Sequence, residues 1–416
     1  MKVFKFGGAS VKHAEAVKNV VSIVTNSQEK DLVIIVSAMG KMTNAFEWLI
    51  NSYCFAKNEI KKSLNDIIDF HYAIINELFP DTSHQVYIDI NELFHQIEDI
   101  LEKAYNNNYD ETYDSLICYG ELLSTTIISH YLNDCDVNHT FLDARKLIKT
   151  DDSYRQARVN WDQTSKLIKE SCENGGICLT QGFIGSSHNN SSTSLGREGS
   201  DFTGGIFAYS LDAKSLTIWK DVAGMLNADP KHFPKAIKLD QISYKEAIEL
   251  SYYGASVIHP KTIKPLQNKN IPLLIKSFLH PDDKGSVIQE SEDKDNLHPS
   301  YIFIEDQILL SFSPRDFSFI AEEGMSLIFT KLNELGIKVN LMQNSALNFS
   351  ICIKHEERKV NQLISELSVK FKILYNKPVT LFTIRHYTEL TIQDIIAEKK
   401  IYLEQKSRHT ARFVIG

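Results

Sequence analysis

Two short apolar runs near the amino terminus constrain the fold of this chain more than any other feature. Lys2-Val3-Phe4-Lys5-Phe6 and Leu32-Val33-Ile34-Ile35-Val36-Ser37 are too short for helices, and both are dense in β-branched or aromatic residues. Residues 13–26, between them, have the length and pattern of a helix. A strand wetted on one face alternates polar and apolar residues, whereas one buried on both faces does not. The pair therefore predicts a parallel βαβ unit with helices on both sides. Strand-like runs at 139–142, 177–184 and 215–219 continue the pattern, with a helix starting close to Asp201. From about Thr43 to Leu132 the apolar residues instead recur at helical spacing, as in Leu64, Ile67, Ile68, Ile74, Ile75 and Leu78. Pro80 and Asn106-Asn107-Asn108 punctuate that stretch, so it reads as an insertion of roughly four helices.

A polar segment with Pro281, Asp282, Asp283, Lys284 and Gly285, then Glu290 to Asp295, reads as a linker over 281–299. Beyond it the order is strand (307–313), helix (322–335), strand (337–344), strand (347–354), helix (356–368), strand (370–376). This βαββαβ order is that of a ferredoxin-like α+β module. Residues 378–416 carry strand-like runs at 379–384, 401–404 and 412–415, which leaves little room for a second copy with two helices. The expected organisation is α/β over 1–280, with a helical insertion at about 45–132, and a smaller module over 300–416.

Composition narrows the function. A net charge of −8 lacks the basic footprint of a nucleic-acid binder, so none is expected as partner. No apolar run approaches the roughly twenty residues of a membrane span, and Lys5 and Gly7 interrupt what would be a signal sequence. Six cysteines without a CxxC pair, and 14 histidines without ligand spacing, predict neither disulfides nor a bound metal cluster. His71 and His259 read as structural. The expected compartment is the cytoplasm.

The chemistry lies where strands should end. Lys5-Phe6-Gly7-Gly8 sends a strand into a glycine turn, where backbone N–H groups can approach a phosphate and Lys5 adds a compact charge. This is not P-loop order, in which the lysine follows the last glycine. A second glycine turn, Gly196-Arg197-Glu198-Gly199-Ser200-Asp201, carries a guanidinium suited to carboxylates. Taken alone, Asp201 reads equally well as a helix N-cap. Ser37 and Thr43 should sit at the carboxyl edge of an open sheet, where ligands bind, or they form a turn and a cap. Glu121 after Tyr119-Gly120 reads as a solvated helix residue, and Trp219-Lys220-Asp221 places two charges at another strand end.

Together these segments resemble the aspartate kinases of the amino acid kinase family. The family's Lys-Phe-Gly-Gly-Thr-Ser-Val appears as Lys5 to Val11, with Ala9 for threonine. Its Ser-Ala…Thr-Asn appears at Ser37, Ala38, Thr43 and Asn44, and its Gly-Glu…Ser-Thr at Gly120, Glu121, Ser124 and Thr125. Its Gly-Arg-Gly-Gly-Ser-Asp-Tyr-Thr appears as Gly196 to Thr203, with Glu198 for a glycine and Phe202 for tyrosine. Gly254 to Pro260 resembles its Gly-Ala-Lys-Val-Leu-His-Pro, with Ser256 for the lysine.

The resemblance implies a mostly parallel sheet between helix layers, followed by an ACT-type regulatory module. It also implies transfer of phosphate from MgATP to the β-carboxylate of L-aspartate. Lys5 and Asp201 would be catalytic, and Ser37, Thr43, Glu121, Arg197 and Ser200 would hold the amino acid. Lys5, Gly7, Gly8, Lys220, Asp221, Leu226, Lys231 and Ser256 would border the nucleotide, with Lys220 or Lys261 replacing the charge missing at Ser256. Asn340 stands where lysine-sensitive relatives carry an aspartate, and Ser345-Ala346 where they carry Ser-Glu, which implies weak or absent lysine feedback. A homodimer through the ACT-type module is implied, and no fused dehydrogenase is expected. The alternatives are another amino acid kinase or a catalytically weak amino-acid sensor.

Overall fold

The computed structural model describes residues 1–416 except Ser256, Val257, Phe317, Ala321 and Glu398, together with the side chain of Asp394. The chain divides into two compact units: residues 1–225, 238–248 and 257–294 in one, and 226–237, 249–256 and 295–416 in the other.

The first unit is built on an eight-stranded sheet. Its strands lie in the order Gln241–Ser243, Ser286–Gln289, Leu273–Ser277, Leu216–Lys220, Lys2–Phe6, Leu32–Val36, Ile177–Gln181, Thr140–Leu142. The central pairings are parallel, with Lys5 beside both Ile35 and Ile218. Every residue of Leu32–Val36 is buried, as an unalternating apolar run demands. The run expected over 177–184 breaks at Gly182-Phe183. Ile184–Ser186 turns off to pair with Ser192–Ser194 in a small separate sheet. The expected insertion is present as helices Met42–Phe55, Ile60–Leu78, Gln85–Leu101 and Tyr109–Asp134. The last of these is buried on nearly every side between Thr112 and Ile128, which explains its lack of an amphipathic stripe.

One expectation holds only in part. The 281–299 linker contributes the strand Ser286–Gln289, which pairs antiparallel with Leu273–Ser277. Of the polar residues that suggested a linker, 281–285 form the hairpin turn and 290–295 follow the strand. Gly285 has φ +69° and lies so near the Ile275 carbonyl that a Cβ would sit 2.2 Å from it. Residues 281–285 are thus a turn within the first unit, whereas the division between the units falls at Lys294/Asp295, inside the expected linker.

The second unit carries a six-stranded antiparallel sheet in the order Val339–Asn344, Phe349–Lys354, Ser300–Pro314, Phe371–Arg385, Thr410–Ile415, Ile401–Lys406. Helices Glu322–Glu334 and Glu357–Leu367 pack on it through Ile328, Leu332, Val360, Leu363 and Leu367. The βαββαβ order is as expected. Two strands are much longer than expected, because 300–314 and 371–385 pair along their whole length across a register shift near Gln307. Helix Glu389–Ile396, closed by a Thr388/Thr391 capping box, was not anticipated. No described helix is long and apolar enough to cross a membrane.

Candidate active site

Parallel pairing brings the carboxyl ends of Lys2–Phe6, Leu32–Val36, Ile177–Gln181 and Leu216–Lys220 to one edge of the sheet. A cavity of about 820 Å³ opens there, and its wall includes Lys5, Gly8, Ser37, Thr43, Glu121, Arg197, Ser200, Asp201 and Lys220. Residues separated by up to two hundred positions thus converge, as the βα order requires.

Asp201 is the centre of the charge arrangement. Lys5 Nζ lies 2.6 Å from its Oδ1 and Lys220 Nζ 3.4 Å from its Oδ2, with the carboxylate almost wholly buried. Burial alone would push the Asp201 pKa up; the two ammoniums outweigh it and hold the acid below its usual range. The helix Gly199–Ser210 begins two residues earlier, with Glu198 at the N-cap. Asp201 is therefore a first-turn residue turned to the cavity, and the cap reading is wrong. Lys5, Lys220 and the exposed Arg197 share this wall with two acids, Asp201 and Glu198.

Glu121 is not solvated, as its position on a helix had suggested. It is buried, and its Oε1 accepts the Ala38 N–H at 3.3 Å. Burial pushes its pKa up to about 8, against smaller opposing effects of that hydrogen bond and of Lys5. A carboxyl poised there is neutral in the empty cavity at pH 7 and ionises readily if a cation arrives. Ser124 Oγ donates to the Ser37 carbonyl at 2.8 Å and so fixes the turn that presents Ser37.

The glycines serve close approach. A Cβ on Gly8 would lie 2.6 Å from the Gly40 carbonyl and 2.9 Å from that of Ala38, so the two strand-end turns touch backbone to backbone. A Cβ on Gly182 would meet Ser200 Cβ at 2.5 Å, which seats the start of helix 199–210 directly over the end of strand 177–181. Glu198 takes the left-handed conformation, φ 52° and ψ 31°. Its Oε2 is buried without a hydrogen-bond partner. Burial first, and then Asp201, push its pKa up, while Lys220 and Arg197 oppose them.

Some expected residues are elsewhere. Asp221 is exposed and absent from the cavity wall. Leu226 and Lys231 fall in the second unit, where the Lys231 N–H closes a turn on Asp229 Oδ1. Asp229-Pro230 marks that turn, as expected. Ser256 lies outside the described residues. Lys261 lines a separate cavity with Trp161 and Phe202, so of the two candidate replacement cations Lys220 is the one at the site. Gly7 is not on the cavity wall, although a Cβ there would lie 3.4 Å from Lys5 Nζ. Asn340 and Ser345 lie in the second unit, where Asn340 Nδ2 donates to Gln307 Oε1 at 2.7 Å and Ser345 Oγ to the Asn348 carbonyl at 3.2 Å.

Several wall residues gave no signal in the sequence: Glu47, Asp110, Tyr113, Tyr154 and Arg155. Behind them is Asp114, fully buried in helix 109–134. Its oxygens accept from the Arg155 N–H at 2.9 Å, the Ser194 N–H at 2.8 Å and the Ser194 hydroxyl. The Arg155 guanidinium lies over the Tyr113 ring at 4.6 Å. Asp114 follows Asp110 and Glu111 in the first turns of that helix, so its sequence alone does not set it apart.

Known proteins resemble this chain in sequence and in fold. The amino acid kinase family matches residues 1–277. The chain is 29% identical to the lysine-sensitive aspartokinase 3 of Escherichia coli over 84% of its own length and 78% of that protein's. It is 30% identical to a bifunctional aspartokinase/homoserine dehydrogenase of Buchnera aphidicola, covering 90% of this chain and 46% of that one. The chain thus spans less than half the length of the bifunctional relatives it matches. Among solved structures, E. coli aspartokinase III in complex with lysine and aspartate superposes with TM-score 0.84 at 24% identity, over 100% of this chain and 95% of that one. Aspartate kinase of Clostridium acetobutylicum gives 0.79 at 24% identity, over 100% and 96%. These likenesses bear out the expected fold: a mostly parallel α/β unit followed by an antiparallel α+β module.

Proposed function

The chain belongs to the amino acid kinase family, and on that premise we propose that it is an aspartate kinase. It would transfer the terminal phosphoryl group of MgATP to the β-carboxylate of L-aspartate, giving 4-phospho-L-aspartate and ADP, the first step toward lysine, threonine and methionine. The observation that carries this reading is the Lys5–Asp201–Lys220 cluster in the wall of the sheet-edge cavity. Phosphoryl transfer asks a protein mainly for positioned positive charge and oriented reactants. Two ammoniums held by one buried carboxylate meet the first demand without the freedom of free lysines.

The residue types fit a polyphosphate and an amino acid together. Lys5, Lys220 and the turn at Gly7-Gly8 would face the phosphates. Arg197, Ser37, Thr43 and Ser200 would hold the carboxylates of aspartate, and Glu121, ionising on contact, would take its ammonium. Magnesium prefers phosphate oxygens and water to an all-protein cage. No cluster of three acidic, histidine or cysteine side chains is found among the described residues, so the ion would come with the nucleotide and screen its charge. An aspartate carboxylate is ionised at pH 7, so no general base is needed.

The second unit would act as an ACT-type regulatory module whose second copy is incomplete, and the protein would be a cytoplasmic homodimer. With Asn340 and Ser345-Ala346 in place of carboxylates, lysine should inhibit weakly or not at all. Half-maximal inhibition by sub-millimolar lysine contradicts this. The activity is tested by trapping the acyl phosphate with hydroxylamine in the presence of ATP, magnesium and aspartate. The wild type should form hydroxamate, and Lys5→Ala should lose at least two orders of magnitude in kcat, about 3 kcal/mol in the barrier. Absence of hydroxamate from the folded wild type would favour an amino-acid sensor, and turnover of a different amino acid another kinase.

A further inference from the structure

The second unit contains a cavity that the proposed reaction does not use. It has a volume of about 480 Å³, within the range of small-molecule sites. Its wall combines Tyr252 and Tyr253 with Asn340 and Met342 of one edge strand and with Thr410 and Arg412 of Thr410–Ile415, the strand next to the other edge. All of these belong to the same compact unit.

Arg412 is the unusual member. It is 9% exposed, and burial lowers its pKa. Its Nη2 donates to the Asn340 carbonyl at 2.6 Å and its Nε reaches Thr383 Oγ1 at 3.4 Å. A guanidinium carries five N–H groups, so three of them have no protein acceptor among the described residues. No described carboxylate pairs with it. The neighbouring Arg385 differs, because Glu249 Oε2 lies 3.4 Å from its Nη1. Both guanidiniums flank the Tyr253 ring, Arg412 at 4.9 Å and Arg385 at 6.0 Å from its centre.

Burying an uncompensated cation is costly unless something neutralises it. Breaking or omitting one partner of a buried pair is the more expensive arrangement, so a guanidinium left bare at a cavity wall marks a place for a ligand charge. The surroundings say which kind. No aspartate or glutamate lines the cavity, so an ammonium would find only neutral acceptors. Thr410 Oγ1, which accepts from Arg385 at 2.7 Å, retains its own proton to donate. Tyr252, Phe329 and Met342 supply an apolar rim with 62%, 40% and 53% of their surfaces exposed.

We propose that this cavity binds a small organic oxyanion with a flat apolar body, its head on Arg412 and Thr410 and its body against the Tyr253 ring and the apolar rim. The head is a carboxylate or a phosphate ester, both of which match the guanidinium fork. This ligand differs from a free amino acid in needing no acceptor for an ammonium.

The test is calorimetric titration of the full-length protein with 4-hydroxyphenylacetate and, separately, phenyl phosphate. A saturating non-hydrolysable ATP analogue and aspartate keep the kinase cavity filled. One equivalent of either probe should bind saturably, and the tighter arm assigns the head group. Benzylamine, a cation of similar body, should not bind. Arg412→Gln should weaken binding at least tenfold with hydroxamate formation unchanged. If that variant fails to fold, Gln405→Trp, at an exposed wall position, should block the same binding by filling the cavity. Absence of saturable binding by both anions, binding undiminished in the folded variants, or equal binding of benzylamine overturns the proposal.

Discussion

Replacing Glu198 by glycine should stabilise the protein, and more so at alkaline than at acidic pH. A non-glycine residue in the left-handed region costs about 1–2 kcal/mol, and glycine returns about 0.5–1 kcal/mol of that through the extra freedom of the unfolded chain. The backbone contribution is then roughly 1 kcal/mol of gain. The side chain adds a term with its own sign. Glu198 has its pKa raised, so the folded state holds its proton more tightly than the unfolded state. The penalty is absent below the unfolded value near 4.5 and grows as pH rises through the folded value. Because the group is partly exposed, solvent and Lys220 reduce that penalty. Glu198 also accepts a hydrogen bond from the His259 backbone, but His259 is half-buried and water can replace the carboxylate. Thermal unfolding should show a rise of about 1–3 °C for the kinase unit at pH 5, and a larger rise at pH 8. A Glu198→Gly protein that melts lower at both pH values, or shifts equally at each, refutes the reasoning.

Two further outcomes follow from buried titratable groups. The KM for aspartate should fall as pH rises from 6.5 to 8.5, since Glu121 with a pKa of about 8 must ionise to receive an ammonium. Glu121→Gln should raise KM and abolish that dependence, and a parallel pH profile in the variant argues against the assignment. His71 is fully buried with its pKa lowered to about 4 by desolvation, and its Nε2 has no partner. Its stabilising neutrality is complete above the unfolded value of 6.5 and is lost as pH falls toward 4, on the order of 3 kcal/mol over that window. His71→Leu should flatten the stability profile between pH 6.5 and 4 in denaturant titrations, and an unchanged slope would place the acid sensitivity elsewhere.

The sheet of the first unit was readable because its strands are buried on both faces, so the apolar runs near Val3 and Ile34 carry their own signature. The insertion was readable through its 3.6-residue period. The hairpin at 282–289 was not, because turn residues and linker residues share one composition, and only pairing tells them apart. Within the site, Lys5, Asp201 and Lys220 were recognisable from strand ends and glycine turns, although the capping alternative for Asp201 could be dismissed only by seeing where its helix begins. Leu226 and Lys231 were placed by proximity in sequence to Lys220, yet the chain leaves the first unit after Met225. Asp114 and Arg155 were invisible for a physical reason. Their partners come from tertiary approach, and neither lies in a glycine turn or at a strand terminus.

The single carboxylate of Asp114 gathers the loop at Arg155 and the strand at Ser194, two stretches of the cavity mouth that the Ala157 N–H to Ser194 carbonyl bond joins directly as well. The mouth is therefore hung from a helix that has no place in the sheet. Whatever shifts that helix along its axis moves both lips in concert, and the width of the opening is set from behind the cavity rather than from within it.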